Sequence, residues 1–202
     1  MPSAPQSRLA SAGVDIARIE AAVTEILHAI GENPERAGLA DTPSKIALAY
    51  TQFFSGIAVN PLDHLTETVP GGQDAELIIV RDIEFRSMCE HHLLPFLGVA
   101  HIAYAPADRV VGLGQLPRVV DTLASRPQLQ ERLTEEIAET LSEGLGAHGV
   151  LVVVDAVHGC VTSRGPRLVR SSTLTLASRG ILADPRRRAE AMTLIGTPED
   201  HS

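Results

Sequence analysis

The stretch Met88-Cys89-Glu90-His91-His92 constrains this chain more than any other. It places one thiol and two imidazoles within four consecutive residues. A second cluster, His158-Gly159-Cys160, follows far downstream. The chain has only two cysteines, and each lies two positions from a histidine. That arrangement reads as one metal site assembled from two distant segments, so the fold must bring them together. In an intracellular protein, two cysteines are metal ligands or free thiols sooner than a disulfide. Zinc takes Cys and His donors, four in a structural site and about three in a catalytic one, where water holds the remaining position. Cys89-x-x-His92 has the spacing that lets a tight turn aim both donors at one ion. An extended strand would put His158 and Cys160 on one face. The count gives Cys89, His92 and Cys160 as ligands and leaves His91 and His158 beside an open position. Zinc draws the pKa of bound water toward neutrality and imidazole moves protons near pH 7, so the set suits hydrolysis. Two other readings stay open: a four-ligand structural zinc that uses a spare histidine, and reactive thiols without metal.

At 202 residues the chain is long enough for one well-buried domain with a helical extension. Trp is absent and aromatics make up 3%, so the core must be built from Val, Leu, Ile and Ala. Scarce aromatics and a net charge of −8 argue against nucleic acid as a partner. No apolar run reaches transmembrane length, and the N-terminus lacks the charged and apolar regions of a signal peptide. The expectation is a cytoplasmic protein with no membrane partner.

Residues 1–13 read as a disordered tail and 14–75 as a helical region with a loop. Residues 76–196 read as the catalytic domain, followed by a tail at 197–202. Ile16, Ile19, Val23, Ile26, Leu27 and Ile30 form one apolar helical face, with Asp15 as N-cap and Gly31 closing the helix. His28 on that helix and His101 on a later strand read as structural. Thr42 and Pro43 open a second helix as N-cap and first helical residue, and residues 57–75 read as a long loop. Ile79 to Phe85 alternates with an imperfect phase and reads as a strand ending before Cys89. Further strands are expected over 99–105, 108–111, 150–157 and 172–178. Helices are expected over 115–124, 128–145 and 184–195. The class is α+β.

Three motifs, Met88-Cys89-Glu90-His91-His92, Arg126-Pro127-Gln128-Leu129-Gln130-Glu131-Arg132-Leu133 and Asp155-Ala156-Val157-His158-Gly159-Cys160-Val161, stand in this order. With Thr42-Pro43, Phe54-Ser55-Gly56 and Arg164-Gly165 they give the chain a resemblance to GTP cyclohydrolase I from about Gly38 to Ile195. The resemblance implies a tunnelling fold, an antiparallel sheet with helices packed on one face. Sheets of several subunits join into barrels, usually in a homodecamer with active sites at subunit interfaces. It implies hydrolysis of GTP at C8 to formate and 7,8-dihydroneopterin triphosphate, the opening reaction of folate and pterin synthesis. Carried over by motif, Cys89, His92 and Cys160 bind Zn2+, which activates water. His158 protonates the imidazole ring of the substrate, and His91 serves as acid and base in ring opening and the later sugar rearrangement and closure. Glu131 accepts the two parallel guanine N–H donors, with Gln130 beside it. Read without the motif, Glu131 is a solvated helix charge.

The phosphate pocket departs from the family pattern. Gly114 and Gln115 stand where the family has a Ser-Lys pair, Leu48 stands for a lysine, and Lys45 for an arginine. Arg118 and Arg164 match the remaining phosphate contacts. Each charge-assisted hydrogen bond contributes about 1.5–3 kcal/mol, so the anion clamp is thinned. This departure leaves two alternatives to GTP hydrolysis. One is a paralogous zinc-dependent purine-ring hydrolase that prefers a less phosphorylated substrate. The other is a non-catalytic ligand-binding assembly subunit.

Overall fold

The computed structural model describes residues 13–71, 76–164 and 171–196. The expected tails (save Gly13), residues 72–75 of the expected loop and Gly165 lie outside the described residues. The chain divides into two compact units after Val59.

In the first unit, α1 (Ile16–Ala29) is capped by Asp15, whose carboxylate accepts from the Arg18 amide at 3.1 Å. Val23 and Leu27 are its buried residues, and Gly31 follows the helix at φ +84°. α2 (Thr42–Phe53) starts one residue earlier than expected, with Asp41 at the N-cap and no side-chain cap bond. Pro43 has no N–H to offer a capping oxygen, and the Asp41 carboxylate faces Lys45 Nζ at 3.4 Å instead.

The second unit begins with a 3-10 turn at Pro61–Leu65 and strand β1 (Thr68–Pro70), both within the stretch expected to be plain loop. Proline at 61 and 70 disguises them. Leu65 is buried in the main core, which is why this segment belongs to the second unit. There follow β2 (Ile78–Cys89), β3 (Pro95–Ala105), β4 (Arg109–Val111), α3 (Gln115–Ala124), β5 (Pro127–Gln128), α4 (Gln130–Leu145), β6 (Gly149–His158), α5 (Gly159–Thr162), β7 (Thr173–Gly180) and α6 (Pro185–Ile195). β1 pairs with β4, and the main sheet runs β5-β2-β3-β6-β7. Its ladders are antiparallel except for β2–β5, which is parallel. The architecture is α+β.

Period-two alternation assigns the faces. Ala100, Ile102, Tyr104, Val150, Val152 and Val154 form one buried face with α3 and α4, which contribute Leu116, Val119, Leu133, Ile137 and Leu141. Ala103, Leu151 and Val153 point the other way, against Leu182 and against Ala191 and Ile195 of α6. Helices α3 and α4 thus pack on one face as expected, while α6 takes part of the other.

The imperfect phase of β2 has a physical cause. The register shifts between Val80 and Ile83, so Arg81 and Asp82 oppose His101 alone. Before this bulge the even residues Ile78 and Val80 face the main core. After it the odd residues Ile83 and Phe85 do. Asp82 sits at φ +56°, and its N–H donates to Nδ1 of the buried His101 ring at 3.1 Å. His101 therefore supplies the acceptor that the interrupted ladder lacks.

Gly98 on β3 lies opposite Ala156 on β6. A Cβ there would fall 2.1 Å from the Asp155 carbonyl oxygen and 2.7 Å from Ala156 Cβ. At Gly114 nothing lies within 4 Å. Gly98→Ala should therefore reach the severe end of point-mutant effects, above about 4 kcal/mol, whereas Gly114→Ala should stay within about 0.5 kcal/mol. Denaturant unfolding of both variants checks this, and equal midpoints would contradict it.

Candidate active site

Strand β3 brings the two halves of the site together. Its first residue, Pro95, pairs with Met88 at the end of β2, and Phe96 pairs with His158 at the end of β6. The chain turns sharply between β2 and β3. The Leu93 amide bonds the Cys89 carbonyl at 2.8 Å, Cys89 N bonds Leu94 O at 2.9 Å, and Leu93 takes φ +49°. This turn folds His92 back toward Cys89, whose Sγ lies 3.8 Å from His92 Nδ1.

Cys160 arrives by a route different from the one expected. β6 ends at His158, and Gly159–Thr162 coil into one helical turn, so His158 and Cys160 do not share a strand face. A Cβ on Gly159 would lie 2.7 Å from the Pro95 carbonyl oxygen, so glycine permits the approach that carries Cys160 inward. Donor atoms of Cys89, His92 and Cys160 all lie within 4.8 Å of one another. Cys89 is buried and His92 exposed, which gives a site with one open side. Burial pushes the Cys160 thiol up, and Cys89 beside it pushes the same way. Two neighbouring thiols, of which Cys160 is held back from ionising, are a donor set that a divalent cation relieves. With a histidine as third donor, the set fits zinc.

His158 lies outside that triad. Its ring stacks on buried Phe96, with centroids 4.7 Å apart and planes 7° apart. Its Nε2 lies 2.7 Å from Oε1 of Gln130. Burial holds its pKa below the ordinary histidine value, and the Glu131 carboxylate opposes that shift. Gln130 itself is 1% exposed. Its Nε2 donates to the carbonyls of Val154 (3.0 Å) and Thr173 (2.7 Å) and to the Thr175 hydroxyl (3.1 Å). Both ends of its amide are thus used within the protein. Gln130, expected beside Glu131 as a substrate contact, is hydrogen-bonded to His158.

The remaining expected residues are more open. His91 is exposed, its ring edge-on to that of His92 with centroids 6.1 Å apart. Glu131 is exposed in the first turn of α4. Arg164 is exposed, and its charge acts on Cys160. Arg118 is exposed and donates to Gln115 Oε1 at 3.4 Å. Lys45 and Leu48 belong to the first unit, and Leu48 is exposed.

Sequence reasoning missed Phe96, although its place beside Pro95 and the scarcity of aromatics were available signals. It also took residues 128–145 as one helix. Pro127 and Gln128 instead form β5, parallel to Met88 and Cys89, and α4 starts at Gln130. That short pairing ties the second motif to the first.

Comparison with known proteins agrees with the geometry. The sequence model of GTP cyclohydrolase I matches residues 19–196. The chain is 60% identical over 185 residues to GTP cyclohydrolase 1 of Leifsonia xyli subsp. xyli, covering 91% of this chain and 97% of that protein. It is 52% identical to GTP cyclohydrolase 1 of Rhodopirellula baltica, covering 90% of this chain and 80% of the relative. The same enzyme of Clostridioides difficile is also 52% identical, with 90% and 97% covered. With a match across most of its length and the three motifs gathered at one end of β3, this chain belongs to the GTP cyclohydrolase I family of hydrolases.

Proposed function

We propose that this protein hydrolyses the guanine imidazole ring of GTP at C8, releasing formate and giving 7,8-dihydroneopterin triphosphate, with zinc held by Cys89, His92 and Cys160. The observation that carries this reading is the three-donor cluster within 4.8 Å, with His158 beside it but engaged by Gln130. Three ligands leave a coordination position for chemistry. When bound, zinc supplies a Lewis acid that brings water toward ionisation near neutral pH.

The chain's own residues handle the base and the protons. The amide of Gln130 is oriented by three acceptors on its nitrogen side, so its oxygen must face His158 and accept from Nε2–H. Nδ1 is then the atom of His158 left to exchange a proton with the substrate. Burial makes protonated His158 a readier donor to the imidazole ring of the purine. His91, exposed beside the metal-bearing turn, serves as the second acid and base, for ring opening and for later closure. Glu131, in the first turn of α4, accepts the parallel N–H groups of guanine. Arg118, Arg164 and Gln115 meet the triphosphate. The pairing of Gln115 with Arg118 favours keeping the less phosphorylated substrate as a second reading.

Assembly into a homo-oligomer of the decameric kind, in the cytoplasm, belongs to the same proposal. Among the described residues, β7 pairs only with β6, so its outer edge is open. Leu97, Val157, Leu174 and Leu176 share a sheet face and are exposed. An open edge beside such a face suits pairing with a neighbouring subunit. No helix among the described residues is long and apolar enough to cross a membrane.

Zinc-loaded protein should release formate from GTP with a pterin fluorescence signal, and stripping the metal with a chelator should abolish both. Turnover of GDP, GMP or guanosine but not GTP would replace the first reading with the second. Absence of all turnover with zinc bound would leave a non-catalytic subunit.

His91→Ala should keep its zinc and lose activity by about 10²–10⁴-fold. Loss of zinc in that variant would show that the ligand set is miscounted.

Gln130→Leu should keep zinc and lower kcat by about a hundredfold with KM little changed, because His158 loses its fixed orientation. Its unpaired carbonyls should cost about 1–3 kcal/mol in stability. An unaltered kcat at reduced stability would show that Gln130 serves packing alone.

A further inference from the structure

Glu90 lies between the expected ligands, and the reaction leaves it without a task. So are Gln128 and Arg132 in the second motif. The structure joins all three. The Glu90 carboxylate pairs with Arg132 Nη2, and the Glu90 amide bonds the Gln128 carbonyl at 3.0 Å. Arg132 Nε donates to Gln128 Oε1 at 2.9 Å, and its Nη2 also donates to the Pro127 carbonyl at 3.1 Å. Gln128 is 1% exposed, and its Nε2 is anchored on Leu123 O at 3.1 Å and Glu136 Oε2 at 2.8 Å.

We infer that Glu90, Arg132 and Gln128 form a clamp that sets the position of the metal-bearing turn against the start of α4. The two sides carry different parts of the site. Cys89 and His92 flank Glu90, while Gln130 and Glu131 precede Arg132. A shift between them would separate the metal from His158 and from the guanine carboxylate without removing any ligand.

An exposed ion pair by itself contributes little, and this one is 30% and 41% exposed at its two side chains. What distinguishes it is that the guanidinium bridges three acceptors at once, two of them on the segment that pairs with Cys89. Lysine would retain the charge but could not span that fork.

This inference rests on the zinc reading above, and its test separates the two. Zinc-loaded Glu90→Gln, Arg132→Lys and the double variant are challenged with a chromophoric chelator, and their kinetics with GTP are measured beside thermal unfolding. Both single variants should release zinc roughly tenfold faster than the parent. Their kcat should fall by tenfold or more, with KM for GTP within about twofold, since misplacement acts on the chemical step. The double variant should be no worse than the singles, because each breaks the same unit. Parental zinc release and kcat in both singles, with only a lower Tm, would overturn the clamp. So would Arg132→Lys behaving as the parent while Glu90→Gln does not. A parent that holds zinc but releases no formate would sink the proposed reaction, and the zinc-release ratios would still decide the clamp. A parent that holds no zinc would overturn both.

Discussion

The site depends on the pairing of β3 with two neighbours at once. Met88 opposite Pro95 and Phe96 opposite His158 are consecutive rungs, so sheet register converts a long sequence separation into atomic proximity. A slip of one residue in either ladder would turn the donors to the other face. Register is held by what lies further along the same strands. The buried residues Ala100, Ile102 and Tyr104 meet Val154, Val152 and Val150 across the ladder. Hydrophobic burial along the strands therefore fixes the geometry at their ends. The bulge at Arg81 and Asp82 serves the same end, since it corrects the phase of β2 before the strand reaches Cys89.

A second constraint is the set of polar groups that the main core encloses. Gln130 is as buried as the aliphatic residues around it, and a buried amide without partners would be costly. Its partners come from β6 and β7, so the Thr173 carbonyl and the Thr175 hydroxyl are turned toward α4. The Thr134 hydroxyl completes the cluster, 2.6 Å from that of Thr175. The consequence is an inverted strand: β7 turns Thr175 toward α4 and leaves Leu174 and Leu176 outside. Hydrogen bonding to the support of His158 thus produces the apolar outer surface of the same strand. Arg179 fastens β7 to α4 from the exposed side, at 2.6 Å from Glu135 and 3.0 Å from Glu139.

Much of this was legible in the sequence because it rests on periodicity and on donor chemistry. The α4 stripe of Leu133, Ile137, Leu141 and Leu145 is buried as its spacing requires. The run of valines around 152 is a strand closed on both faces. Cys89, His92 and Cys160 converge, because few residue types bind zinc and the chain has few of them. What was not legible depends on local geometry. Two residues of β5 are too short for any pattern, and a proline at the start of one disguises it. The helical turn at Gly159–Thr162 replaces an extended approach, so the convergence came by a path that the i, i+2 argument did not describe. The role of Gln130 was hidden because its partners are mostly backbone carbonyls, which no side-chain motif records.

In the proposed reaction, the two ends of the nucleotide meet different kinds of protein. Around the base, the functional groups stand on elements pinned by backbone ladders. Cys89 closes β2, His158 closes β6, and Glu131 lies in the first turn of α4, where the next residue, Arg132, is tied to the turn that carries Cys89 and His92. Groups fixed in this way lose little freedom when they engage a ligand. The proposed cationic phosphate contacts are long, exposed side chains, which must be ordered on binding and are screened by salt. Gln115 makes no charge-assisted contribution of the lysine kind and itself accepts from Arg118, a bond that a phosphate must compete with. The base-recognising half therefore has its geometry built into the fold, while the anion-binding half gains its geometry only as the ligand arrives. Discrimination for guanine is the more rigid property of such a site, and discrimination by phosphate number the more adjustable one.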